Sequence, residues 1–250
     1  MNEGHKSVMI NANYTDIVII AISVMSSLMQ LGLQKMWVSF GKGEKTKWIT
    51  IHEVVPTIGP EKTRGNIFFH AFRGCDMVYA FHGKSKKSAW KTWEVCDEVS
   101  KIFSKLSEHP SAVDDNDLKA LEKFVVLMYD RSSEVTTVNE ARYDLFARKQ
   151  KQYDLIPPTQ AALKEHAKRA AYVAGYVWGQ ALKQKPEMTS PSDWGWVKED
   201  EGGKIFWTPL PPIAKSCWEL TKCGCTKACT GKCKCFRYGL TCTGLYSCFC

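Results

Sequence analysis

Nine of the eleven cysteines of this chain lie between residues 217 and 250, and no histidine accompanies them there. After Cys217 they follow the spacing C-x-C-x3-C-x3-C-x-C-x6-C-x5-C-x-C, through Cys223, Cys225, Cys229, Cys233, Cys235, Cys242, Cys248 and Cys250. Thiols at this density either oxidise to disulfides or share metal ions. Only Cys75 and Cys96 occur elsewhere, so cysteine is not scattered as in a secreted disulfide scaffold. Residues 1–14 also lack a basic start followed by an apolar run. The expected setting is a reducing compartment, the nucleus or alternatively the cytoplasm, with the thiolates held by zinc. Zinc takes four tetrahedral ligands, so eight of these cysteines fill two separate four-sulfur sites, and further ions require bridging sulfurs. Gly224, Gly231, Gly239 and Gly244 let the chain wrap closely around metal. No open coordination position is suggested, which predicts a structural site.

The formal net charge of +8 favours an anionic partner. Within the tail Lys215, Lys222, Lys227, Lys232, Lys234 and Arg237 face a single acid, Glu219. Two readings are open: a solvated surface that keeps a small metal module soluble, or phosphate contact by Lys227, Lys232, Lys234 and Arg237. A second basic cluster, Lys84, Lys86, Lys87 and Lys91, has no acid between Met77 and Trp93. It is a candidate for DNA phosphate contact as well.

The run Ile17–Leu33 carries no charge, but it is interrupted by Ser23, Ser26, Ser27 and Gln30 and falls short of the roughly 20 residues that span a bilayer. Its β-branched start predicts a buried strand over Asp16–Ile22, then a short helix over Val24–Leu31, and no membrane association. Strands are predicted over Lys35–Phe40 and Lys47–His52, a Pro-interrupted helical stretch up to Phe72, and an aromatic helix with Trp90 and Trp93. From Leu118 to Leu182 the period turns helical. One face carries Leu121, Phe124, Val125 and Met128, another Ala141, Leu145 and Phe146. A third helix starts at Gln160 after Pro157-Pro158-Thr159, with Leu163, Ala170, Val173 and Val177 on its stripe. Trp194, Trp196 and Trp207 then mark a Pro-rich connector, read as a loop packed on a neighbouring core, with a ligand platform as the alternative.

The cysteine tail from Lys222 to Cys250 resembles the tesmin-type CXC domain. The resemblance implies several zinc ions held through shared thiolates and, in some members, DNA binding. This chain has Lys232 where DNA-reading members have a tyrosine, and Tyr246 where related sequences have a further cysteine, so Cys217 is the candidate replacement ligand. The stretch His70–Ala89, HAFRGCDMVYAFHGKSKKSA, resembles the helix–turn–helix region of flap-endonuclease-like (PIN-fold) nucleases. Asn13 to Ile20 resembles the D-x-D strand of the same nucleases. The resemblance spans about residues 10–107 and implies Asp16 and Asp76 as magnesium-binding catalytic carboxylates. Two-metal hydrolysis needs several carboxylates around ions about 3.5–4 Å apart. Here Tyr14 and Asn13 stand at acidic positions, and Ser85 replaces the second glycine of the phosphate-binding hairpin. The first strand and acidic helix of such nucleases are not expected in this chain. Asp16 and Asp76 read equally as a helix cap and a turn residue. His70, in an apolar helix, reads as a buried hydrogen-bonding histidine rather than a ligand. The combination resembles animal proteins derived from mobile elements.

The expected architecture is an incomplete PIN-like α/β region over 1–107, an all-α region over 108–185, a Pro/Trp-rich connector over 186–215, and a small irregular zinc-stabilised module over 216–250. The expected function is that of a zinc-containing nucleic-acid-binding protein with DNA as partner, a catalytically inactive remnant of a nuclease-like mobile-element protein. The alternatives are a magnesium-dependent structure-specific nuclease completed by a further segment, or a zinc-stabilised protein-interaction module.

Overall fold

Alternation of apolar and polar residues in Ser7–Asn11 turns Val8 and Ile10 to one side, and this segment forms β1. The computed structural model describes residues 4–41, 43–108, 113–148, 155–187, 189–199 and 202–208. The chain divides into two units, Met1–Trp207 and Thr208–Cys250. The second unit, with its nine cysteines and its basic residues, lies outside the described residues except for Thr208.

The first unit is mixed α/β and mostly helical, with two small sheets among the described residues. β1 pairs in parallel with β2 (Lys35–Phe40), and β2 pairs antiparallel with β3 (Lys47–Thr50), in the order β1-β2-β3. Between β1 and β2 runs α1 (Thr15–Gln30), the crossover that parallel pairing requires. α1 corrects two expectations: Asp16–Ile22 is helix, not strand, and the helix is continuous to Gln30. The β-branched run had suggested a strand, but its apolar residues recur with helical period. Val18, Ala21, Ile22 and Met25 are buried with Leu33, Met36, Val38 and Ile51, while Ile19 and Ile20 pack on the helical core. A helix embedded between two cores is apolar nearly all round, and that hides its amphipathic signature. Asp16 then falls in the first turn, where the helix dipole favours a carboxylate. Among the described residues no helix is long and apolar enough to cross a membrane.

After α2 (Ile51–Ile58), the larger core gathers around α3 (Pro60–Arg73), with α4 (Lys86–Trp93), α5 (Glu98–Glu108), α6 (Asp115–Tyr129), α7 (Val138–Tyr143) and α8 (Gln160–Tyr172). α3 and α5 approach closely at Gly65, where a Cβ would stand 2.8 Å from that of Phe103. The core is continuous from Ile67 to Trp178, so helices on both sides of residue 107 share it.

Polar devices set the helix starts. Asp114 and Asp117 form a reciprocal capping box on α6, and the Lys105 ammonium holds the Asp114 carboxyl down to about 2. Thr159 caps α8 at the expected place, its Oγ1 accepting from the Ala162 amide. Glu122, fully buried, accepts from the Val138 amide at 3.1 Å and from Gln160 Nε2 at 3.0 Å, which ties α6 to the starts of α7 and α8.

Two π-helical segments, Asp144–Arg148 and Val173–Trp178, extend α7 and α8. Each shifts the helical phase by about one residue. Phe146 and Val177, expected on buried stripes, are exposed, whereas Leu145, Val173 and Trp178 stay inside. The second sheet is the hairpin β4 (Trp196–Glu199) and β5 (Gly202–Ile205). Arg169 of α8 holds it by donating Nη1–H to the carbonyls of Gly195 (3.0 Å) and Phe206 (2.9 Å). Trp194 and Trp196 pack on the helical core, as expected of a packed connector, but Trp207 is 56% exposed.

Candidate nucleic-acid interface

α3 ends at Arg73 because Gly74 takes φ +117°, and a Cβ there would lie 2.5 Å from the Ala80 backbone. Reciprocal hydrogen bonds, Cys75 N–H to Val78 O (2.8 Å) and Val78 N–H to Cys75 O (3.3 Å), then close a turn with Asp76 and Met77 exposed at its tip. Buried Val78 and Phe81 pin the loop to the core. Its far end is Ser85, whose Oγ accepts from the Ser88 amide at 3.1 Å and starts α4.

This loop brings the first turn of α4 beside the end of α3. Lys86 and Lys87 are exposed in that turn, which contains no acid, and Lys91 is exposed one turn later on the Lys87 face. Lys84 is half-buried, with Nζ 4.2 Å from the centroid of the Tyr129 ring. Sequence reasoning missed Lys62 of α3, whose ammonium stands 5.2 Å from the Trp90 ring and 5.9 Å from Trp93. No local pattern links it to α4, because the link is a helix–helix contact.

Asp16 and Asp76 occupy different settings. The Asp16 carboxylate accepts from His70 Nε2 at 2.7 Å, and Arg73 Nη2 donates to His70 Nδ1 at 2.9 Å. Because a guanidinium can only donate, Nδ1 carries no proton and His70 is neutral with its proton on Nε2. Burial is the main cause that lowers its pKa, helped by the Arg73 and Lys86 charges, while the bond to Asp16 opposes them. His70 is thus the buried hydrogen-bonding histidine that the sequence suggested, at 3% exposure and 5.5 Å from the Trp178 ring. Both aspartates lie close enough to the half-buried Cys75 thiol to raise its pKa further, although burial is the largest cause. Cys75 and Cys96 are both free thiols. Among the described residues no three histidines, cysteines or acids converge on a point where a metal ion could sit.

Lys227, Lys232, Lys234, Arg237, Cys217 and the eight cysteines from Cys223 to Cys250 lie outside the described residues. Compared with models of known families, with curated proteins and with solved structures, the chain matches none of them.

Proposed function

We propose that this protein binds DNA through electrostatic contacts to phosphates, with α4 as one contact element and a zinc-stabilised basic module at the C-terminal end as the other. The first turn of α4 carries this reading. Exposed Lys86 and Lys87 sit at the end of a helix whose dipole is already positive, with Lys91 and Lys62 nearby. Positive charge so arranged repels itself, and a phosphate relieves the repulsion. No chemical step is assigned to Asp16 or Asp76, since the Asp16 carboxylate is engaged with His70 and Arg73 completes that chain of hydrogen bonds. A nuclear location accords with a DNA partner.

The test is the affinity of the full chain for a short duplex across a series of salt concentrations. Log affinity is expected to fall linearly with log salt, by about 0.9 for each phosphate neutralised. Replacing Lys86, Lys87 and Lys91 by alanine is expected to lower the slope by about 2 to 3 and the affinity at low salt by at least about tenfold. An affinity independent of salt, or a triple variant that binds like the parent, sinks the proposal.

For the second module the donor set itself is the guide. Nine thiols without a histidine suit zinc, with Cys223, Cys225, Cys229, Cys233, Cys235, Cys242, Cys248 and Cys250 as ligands and Cys217 in addition. Bound zinc would keep these thiolates deprotonated and fold the segment around them. Elemental analysis is expected to find about two or more zinc ions per chain, fewer in Cys223→Ser. A chain purified under reducing conditions without zinc contradicts this half of the reading.

A further inference from the structure

The structure assigns a second DNA-contacting element: Tyr79 and Trp207 form a stacking platform for an unpaired base of single-stranded DNA. The inference rests on the proposed DNA-binding role and narrows it. Tyr79 comes from the loop before α4 and Trp207 from the segment after β5, yet their ring centroids lie 5.4 Å apart with planes inclined by 33°. Both rings are open to solvent, at 61% and 56% exposure. An aromatic pair brought together from such distant positions and left uncovered presents π surface without burying it, which is unusual for packing but suits stacking.

Both rings stand on rigid supports. Tyr79 is flanked by buried Val78 and stands two residues before buried Phe81. Trp207 follows a residue bonded twice: Phe206 N–H donates to Gly195 O at 2.9 Å, and Phe206 O accepts from Arg169 at 2.9 Å. The Arg169 guanidinium carbon lies 6.0 Å from the Trp207 ring centroid, and Nε of this 3%-exposed residue has no hydrogen-bond partner among the described residues. A cation beside the indole is attracted by the quadrupole of its ring.

Distances decide how a base would sit. Insertion between two rings needs about 6.8 Å, twice the ~3.4 Å base-stacking separation. The observed 5.4 Å is too little. The base therefore lies on the outer surface of the pair, and any base suffices because each has a π face. Charge supplies the backbone partner. Tyr79 is five residues before Lys84 and seven before Lys86, so the loop spans at most about 25 Å to the first turn of α4, a few nucleotides. Asp76 is exposed in the same loop. In duplex DNA the bases are stacked on each other, so only a single strand gains from the platform.

The experiment compares the full chain with Trp207→Ala, Tyr79→Ala and Tyr79→Phe, measuring affinity for an oligothymidine and for a duplex of equal length. Thermal melts check that each variant folds. Trp207→Ala and Tyr79→Ala are expected to weaken oligothymidine binding by roughly tenfold, leaving duplex affinity and its salt slope unchanged, while Tyr79→Phe keeps the parent affinity. Alanine variants that bind oligothymidine like the parent, or lose both ligands equally, overturn the platform while leaving the phosphate contacts standing. A parent chain that binds neither ligand at low salt overturns the DNA-binding reading and the platform together.

Discussion

Phe103→Ala is expected to lower the unfolding free energy of the Met1–Trp207 unit by about 3–5 kcal/mol. Phe103 is fully buried on α5, and its ring centroid lies 5.0 Å from Trp93, 5.3 Å from Phe124, 5.5 Å from Phe68 and 5.8 Å from Phe69. One side chain thus joins α3, α4, α5 and α6. A Cβ added at Gly65 of α3 would lie 2.8 Å from the Phe103 Cβ, so the two helices are close at this point. Truncation removes apolar burial and leaves a cavity that four helices cannot jointly close, since each is anchored by further contacts. A domain is stable by only about 5–15 kcal/mol, so the variant stands near the limit of folding. Urea unfolding followed by circular dichroism should show a lower midpoint at an unchanged slope. Phe146→Ala, at a position 58% exposed, serves as the control and should shift stability by no more than about 0.5 kcal/mol. Equal effects at the two positions would mean that the helices do not share one core.

Acidification from pH 7 to pH 5 should destabilise the same unit by about 2 kcal/mol through His166 alone, rising to roughly 3 kcal/mol near pH 4. His166 is buried between Phe72 and Phe81, with ring centroids at 5.2 and 4.7 Å, and its Nε2–H donates to the Phe72 carbonyl at 2.6 Å. Burial, assisted by the Arg169 charge, holds its pKa down to about 4 against an ordinary 6.5, although the hydrogen bond works in the opposite direction. The folded state therefore resists protonation that the unfolded chain accepts. Stability is complete above about 6.5 and is lost as pH falls from there towards 4. His70 is depressed as well and adds a loss of the same sign. The Asp114 carboxyl, at about 2, titrates below this window. Urea midpoints at pH 7.5 and 5 are the measurement. His166→Gln, which retains a donor for the Phe72 carbonyl, should flatten most of the pH dependence. If the His166→Gln variant lost as much stability as the parent between these pH values, the buried neutral imidazole would not be the source.

Local chemistry made several elements legible. Thr159 after two prolines marked the start of α8, because proline cannot continue a helix and a threonine hydroxyl satisfies a free amide. The acidic stretch around residue 114 could be read as a linker or as a helix entrance, and the capping box of α6 decides for the latter. Lys35–Phe40 was readable as a strand from its composition and flanking turns. α1 was not. β-Branched residues favour strands only weakly, and burial on two sides removes the one-faced pattern that distinguishes a helix. The π-helical segments were equally invisible, and Phe146 and Val177 within them face outward.

The same division holds at the candidate site. The lysines of α4 and the burial of His70 could be read from a few neighbouring residues. The bond from His70 to Asp16, 54 positions away, could not, nor could Lys62 above Trp90 or Tyr79 against Trp207. By itself the sequence determined the chain's positive charge, its cysteine-dense tail and a few element boundaries such as the start of α8, since these depend on composition and on interactions within about one turn. Only the tertiary structure decided that Asp16 begins a helix and binds a neutral histidine, and that two distant aromatic rings meet uncovered. Such contacts join residues far apart in the chain, and their energies come from packing and desolvation that exist only once the core has closed.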